Sequence, residues 1–483
     1  MLDFKHKTIH PVAWMVGAAT LILFAASSLR HALFHSTAYD LAIFDQAIYL
    51  ISQNQTPFSS LMAINILGDH ATFIFYPLAL LYKIYPDVHW LLFVQAFALA
   101  LGAWPSWSLA RQAGLNEPRA IALAAVYLLY PAVFNVNLFD FHPEVIAMPA
   151  ILAAILAARL DKILWFCAAI LLILSCKAVL SLTVIMMGVW LFLFEKNRRC
   201  GLLAIFLGAA WFLIATQAIV PYFNQGKQHA GIGRYQYLGK SVFEIAINLI
   251  LKPHIVASRI FSADSLGYLI LLFLPLIWWF SPRHFAPLIG ALPMLMMNLL
   301  SDIPAQRDLI HQYSIPIFPF LLVAVISNLA QPIPSSNSQL SKIFDKFRIA
   351  RFPLSNKLII WSLIAFLALA KYGYFWTIYL DALDTVPATK EAIALVNTKG
   401  SVFTTSNIAP HLAHRPVVKL TLAQTPPANL AEFEYVLLNL RYPGWMSDRA
   451  FVQNLITQLA NNPQFQLKYQ RDDIYLFVQK AKK

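Results

Sequence analysis

Charge is scarce in this chain. Asp, Glu, Lys and Arg make up 12% of its 483 residues, against 59% apolar residues; a typical soluble protein carries roughly 25% charge. So few charges cannot cover a soluble fold of this size, and so many apolar residues exclude a disordered one. Cysteine is scarcer still. Only Cys167, Cys176 and Cys200 occur, in or beside apolar stretches and without metal-site or redox spacing, so neither a disulfide framework nor zinc is expected. Also missing are a Walker motif, a dinucleotide fingerprint, a zinc motif and a Gly-x-Ser-x-Gly elbow. A cytoplasmic nucleotide-driven mechanism therefore has no support. What is present is long apolar runs, a mean hydropathy of +0.61, 35 Phe and 12 Trp. These suit lipid-facing helices with aromatic belts, and the class is integral membrane protein.

Apolar runs near the needed length of roughly 20 residues start at about residues 11, 88, 119, 144, 162, 179, 201, 267, 285, 313 and 358, giving about eleven helices. Continuous rather than alternating runs exclude a strand barrel. The run from Val12 to Ala26 behind Lys5 and Lys7 reads as an uncleaved signal anchor rather than a cleaved leader. The net charge of +13 reads as cytoplasmic loop charge, not as a nucleic-acid footprint. Arg111, Arg119, Arg159, Lys162, Lys196, Arg198, Arg199, Arg283 and the basic connector 331–357 all fall on one side if 72–86 is a re-entrant or interfacial helix. That side, with the N-terminus, is then cytoplasmic, and the chain is a multi-pass protein of the plasma (inner) membrane. The connector reads as a cytoplasmic linker with a membrane-surface helix. Past residue 385 the pattern changes to short strands and amphipathic helices. The chain divides into a transmembrane part, 1–384, and a small α/β domain, 385–483, on the extracytoplasmic side.

This orientation gathers unusual polar residues at the outer helix ends: Asp40 and Asp45, Asp69 and His70, Asp140, His142 and Glu144, Lys177, Arg307, His311 and Tyr313. Ionisable groups at membrane depth cost about 2.5–3.5 kcal/mol each on insertion scales, so their gathering points to one polar cavity. Each also has a bland role. Asp40 can cap the helix that follows and Asp69 the interfacial one; Asp45 can be a solvated loop residue; His142 can be a hydrogen-bonded loop histidine; Lys177 can snorkel; Arg307 can pair with Asp302 or Asp308. Chemically, a carboxylate at the surface can take a proton from a hydroxyl, Lys and Arg can hold a lipid phosphate, and Asp, His and Glu can bind a divalent cation, with a spacing that is not diagnostic.

The stretch Tyr39-Asp40-Leu41-Ala42-Ile43-Phe44-Asp45-Gln46 resembles the opening motif of the DUF2079 family of bacterial and archaeal membrane proteins. Gly68-Asp69-His70, Tyr76-Pro77-Leu78, Tyr130-Pro131, Phe139-Asp140-Phe141-His142-Pro143-Glu144, Arg234-Tyr235 and His311-Gln312-Tyr313 are similar to that family as well, as are Asn407, Pro410-His411-Leu412 and Arg415 in the tail. The family looks like a branch of the C-type (GT-C) glycosyltransferases, multi-span enzymes that use lipid-phosphate-linked sugars on the outer leaflet. The resemblance implies a GT-C-like, all-α polytopic fold with the α/β tail, Asp40 as catalytic carboxylate with Asp45 second, and Lys177 as the lysine such enzymes place at a span end. Where the family usually has an acidic residue after this lysine, this chain has Ala178. The expectation is a membrane glycosyltransferase moving a sugar from a polyprenyl-phosphate donor to a glycan, lipid or protein acceptor. In it Lys177 and Arg307 neutralise the leaving phosphate, and Asp69, His70, Asp140, His142, Glu144, His311 and Tyr313 line the substrate pocket. A transporter or lipid flippase and a non-catalytic envelope scaffold are the alternatives.

Overall fold

The computed structural model describes residues 9–226, 230–331 and 353–480. Lys5, Lys7 and most of the connector, with its expected surface helix, lie outside the described residues. The connector ends earlier than expected, because a helix already begins at Leu354 and runs to Leu369.

The described residues up to 380 are almost entirely helical. Local sequence sets several helix starts. His10 and Pro11 open Pro11–Ala32, the His10 ring accepting from the Val12 amide. Asn116 caps Glu117–Leu128 and Asn197 caps Arg198–Ile214, each satisfying an amide that the first turn leaves free. The helix Glu144–Arg159 is buried along most of its length and so is Phe318–Leu329; they form the centre of the bundle. The hairpin Leu180–Leu193 with Arg198–Ile214 closes on glycine. A Cβ on Gly188 would stand 2.7 Å from the Gly201 carbonyl oxygen, so only small residues let these backbones approach.

Among the described residues, four helices are long and apolar enough to cross a membrane on their own, or six if each of two bent pairs is one span. The bends are 56° between Pro253–Ile260 and Ala263–Trp279, and 42° between Leu354–Leu369 and Lys371–Leu380. Other runs read as spans are short helices. Ile163–Cys176, at 14 residues, is about 21 Å long, less than the roughly 30 Å hydrocarbon core. The stretch read as non-crossing holds the helix Phe75–Ile84, 10 residues long, which packs on Ile43–Ser52 through Phe44, Ile48, Phe75 and Tyr82.

The tail is a five-stranded sheet in the order Val418–Leu420, Val402–Thr404, Tyr435–Asn439, Ile474–Gln479, Phe465–Arg471. The first three strands are parallel and the last two form an antiparallel hairpin. Its turn uses Asp472 and Asp473 at φ 49° and 62°, the left-handed pair that a tight hairpin needs. Alternation along the strands covers both faces. Val402, Leu437 and Leu476 pack on the helix Val386–Ala394, whereas Phe403, Val436, Leu438 and Phe477 pack on Arg449–Asn461.

Candidate active site

Two ionic pairs meet where the first loop, the loop before Glu144 and the turn at Lys177 come together. Asp40 sits on the π-helical turn Ala38–Ala42. His142 Nε2 donates to Asp40 Oδ1 at 3.1 Å, the Asp40 side chain keeping 24% exposure and His142 only 2%. The Thr37 hydroxyl lies 2.9 Å from Asp40 Oδ2 and 3.0 Å from Asp140 Oδ2, and the Thr37 amide donates to Asp140 at 2.8 Å. Burial pushes the Asp40 carboxyl up, but His142, Thr37 and Arg30 outweigh it and hold the group below the usual carboxylate range. Burial likewise disfavours the His142 cation, and Asp40 and Glu144 overcome that and raise it. Each group thus favours the charged form of the other.

Asp140 is a strut rather than a lining residue. It is wholly buried in a bridge to Arg30, and its φ of +89° is unfavourable for a residue with a Cβ. Gln95 fastens the same loop: its Nε2 donates to the Asp140 carbonyl at 2.7 Å, and its Oε1 accepts from the His142 amide at 3.0 Å. Arg30, Thr37 and Gln95 were not singled out from sequence. Arg30 could have been, because an arginine inside an apolar span is costly unless paired.

The second pair is Lys177 Nζ to Glu144 Oε1 at 2.6 Å, both side chains nearly buried. Glu144 opens the helix Glu144–Arg159, where the dipole favours a carboxylate. Burial opposes charge on Lys177, and Glu144, with Asp69 and Tyr313 beyond it, restores and raises it. Position 178 carries no carboxylate, and the one that meets Lys177 comes from the helix Glu144–Arg159. Glu144 Oε2 stays buried without a hydrogen-bond partner. Asp69 and His70 pair at 3.2 Å. Their loop is tied to the Lys177 turn by the Ala178 amide donating to the His70 carbonyl at 2.9 Å and Ile74 to Ser175 at 3.0 Å.

The remaining expected residues are arranged around or away from this pair of pairs. His311 bonds Asp308 at 2.6 Å and meets Phe139 edge-on at 4.2 Å, and Phe139 stacks on His142. Tyr313 carries Arg234 over its ring at 5.4 Å. Arg307 does not pair with Asp302 or Asp308. Its Nη1 donates to the Ser301 carbonyl, while its Nε is buried without a partner; Asp302 instead pairs with Arg259 at 2.8 Å. Asp45 stands apart from Asp40. It accepts from the Tyr82 hydroxyl at 2.6 Å and from His414 of the tail at 2.9 Å, with its side chain 1% exposed.

His414 belongs to a seam along which the tail covers the first loop. Gln46 donates to the Arg415 carbonyl at 3.0 Å, the Ser60 hydroxyl to the Val418 carbonyl at 2.9 Å, and Asn407 to the Phe34 carbonyl at 2.9 Å. His411 stacks on His31 at 4.0 Å, and Ala38 packs with Ala409, Val418 and Leu420. Among the described residues, no three of His, Cys, Asp and Glu converge to hold a metal ion.

The profile of the predicted membrane proteins of DUF2079 matches residues 30–476. No curated protein matches the sequence. Two solved structures of ArnT from Cupriavidus metallidurans superpose over 97% of this chain and 98% of theirs, each with a TM-score of 0.58. One is bound to undecaprenyl phosphate (12% identity) and one is in the apo state (13%). The apo oligosaccharyltransferase of Archaeoglobus fulgidus is more distant, at a TM-score of 0.44 and 14% identity over 90% of this chain and 70% of its own. The fold is that of the GT-C membrane glycosyltransferases.

Proposed function

The chain belongs to the DUF2079 family of predicted membrane proteins, and from that premise we propose that it transfers a sugar from a polyprenyl-phosphate donor to an acceptor hydroxyl at the outer face of the membrane. The observation that carries this reading is the adjacency of a charged, partly open Asp40–His142 pair and a nearly buried Lys177–Glu144 pair. A likeness in fold to a protein bound to undecaprenyl phosphate supports the donor class. In this reading the N-terminus is cytoplasmic and residues 385–483 form an extracytoplasmic domain over the site. Short and bent helices complete about eleven passes, each on the order of 20 residues when neighbouring turns are counted.

The chemistry follows from the two pairs. An acceptor hydroxyl loses its proton to the Asp40 carboxylate as its oxygen attacks the anomeric carbon of the donor. The bond from that carbon to the phosphate oxygen breaks, and the phosphate leaves with the electron pair. Lys177, charged and fixed by Glu144, stabilises the phosphate as charge develops on it. His142 holds Asp40 in its ionised state and in position. Arg307, Asp69, His70, His311 and Tyr313 complete the donor pocket, and Asp140 positions Thr37 and thereby Asp40. We assign Asp45 to holding the tail rather than to chemistry. The test is transfer of sugar from a defined polyprenyl-phosphate-sugar by the protein in lipid nanodiscs. Asp40→Asn should abolish it with folding intact; unchanged transfer would refute the assignment.

A further inference from the structure

A cavity of about 980 Å³ lies far from this chemistry. Arg159 lines it, and Glu144 lies at the other end of the same 16-residue helix, so the two sites are about 23 Å apart along the axis. Lys196, Arg198, Arg199 and His284 line it as well. Two acids, Asp161 and Glu195, are also in the lining. Glu195 is committed: Arg159 grips it with Nε at 3.1 Å and Nη2 at 2.8 Å. Among the described residues no ion pair neutralises Lys196, Arg198 or Arg199.

Three facts make this more than loop charge facing water. Arg198 and Arg199 are the first two residues of a 17-residue helix, whose Cys200 amide is capped by Asn197, and there the dipole repels cations and favours an anion. His284 Nδ1 is buried in the wall without a hydrogen-bond partner. Close in sequence to the lining residues Arg159, Ile163 and Glu195, the apolar residues Leu160, Leu164, Leu193 and Phe194 are each at least 49% accessible and form its apolar flank. A cationic chamber beside an exposed apolar flank matches an amphipathic anion, with its head inside and its chains on the flank.

We propose that this cavity binds the phosphate headgroup of an anionic phospholipid. The occupant is a lipid rather than a free phosphate because the exposed flank at residues 160–164 and 193–194 would otherwise remain uncovered. The site needs no catalytic turnover. Only its assignment to the cytoplasmic leaflet rests on the orientation proposed above.

The test uses the full-length protein in phosphatidylcholine nanodiscs with or without phosphatidylglycerol or cardiolipin, reading retained lipid by native mass spectrometry and the unfolding midpoint. Anionic lipid should be retained and should raise the midpoint. Arg198→Gln and Arg199→Gln should each weaken retention about fivefold, given about 1 kcal/mol per basic residue at a membrane surface. Adding Lys196→Gln should weaken it further. Arg119→Gln, a cation at the same end outside the cavity, should have no effect, and Asp40→Asn should bind lipid as the parent does even if it loses or keeps transfer. Equal retention of anionic and zwitterionic lipid, or an equal loss with Arg119→Gln, would overturn the proposal. So would protection by inorganic phosphate alone to the full extent seen with lipid.

Discussion

Asp40 and Asp45 are five residues apart, and each faces an imidazole at about the same distance, 3.1 Å from His142 and 2.9 Å from His414. Their surroundings differ. Asp40 keeps a quarter of its side chain open and has a charged lysine pair for a neighbour, whereas Asp45 is sealed by Tyr82, Tyr49 and the tail. The contrast separates reactivity from attachment. A carboxylate that must accept a proton from a substrate needs an open edge. One that joins two parts of a chain gains most from being closed off, since removing one partner then strands the other.

The strongest way to break this contrast is substitution at Asp40. Asp40→Asn is expected to lower sugar transfer roughly 100- to 10,000-fold, the usual worth of a general base, with an unchanged unfolding midpoint. If Asp45→Asn lowered transfer as much without loosening the tail, the two roles would have to be exchanged. Next in size is the effect at the seam. Asp45→Ala leaves His414 and Tyr82 without their acceptor and is expected to cost about 3–5 kcal/mol, read as faster protease cleavage of residues 407–418 and a lower midpoint. A third variant tests the neighbour of Asp40. Lys177→Met alone strands Glu144, so the pair Lys177→Met with Glu144→Gln is the cleaner change. It is expected to lower kcat for transfer roughly 10- to 100-fold, the worth of a charged hydrogen bond of about 1.5–3 kcal/mol made to the charge that develops on the phosphate. The same pair in the Asp45→Ala background should add to its effect, because the two sites share no partner.

The smallest expected effect is of pH. Burial lowers the His414 pKa, but Asp45 outweighs it and raises the group above its ordinary 6.5, with Lys399 and Asp87 acting weakly and in opposite directions. A raised imidazole gives its full contribution below 6.5 and loses it as pH climbs through the folded value. Protease protection of the seam should therefore fall as pH rises above 6.5 through the folded value, and Asp45→Asn should abolish that dependence. His142 is raised as well and Asp40 lowered, so the charged form of this pair should persist to a higher pH than an isolated imidazole would allow.

Much of this was legible in the sequence because membrane depth makes polar residues conspicuous. Asp40, His142, Glu144 and Lys177 stood out as ionisable groups near apolar runs, and hydropathy marked the tail by its absence. The tail's strands and helices followed from period-two and amphipathic patterns. Pairing was not legible. Nothing local told that Glu144 would meet Lys177, that Arg30 would clamp Asp140, or that His414 would reach Asp45 across 369 residues. Among the described residues, fewer helices are long enough to cross on their own than there are apolar runs, because hydropathy does not register a bend at Ser262 or a helix of 14 residues. Asp45 was grouped with Asp40 because proximity in sequence says nothing of which one a later segment covers.

The hydrogen bonds between Ser60 and Val418 span 358 residues. During synthesis the first loop emerges early and must wait, uncovered, until almost the whole polypeptide has left the ribosome. A truncated product would lack the segment that covers Asp45 and Gln46, so sealing of the first loop is tied to completion of translation.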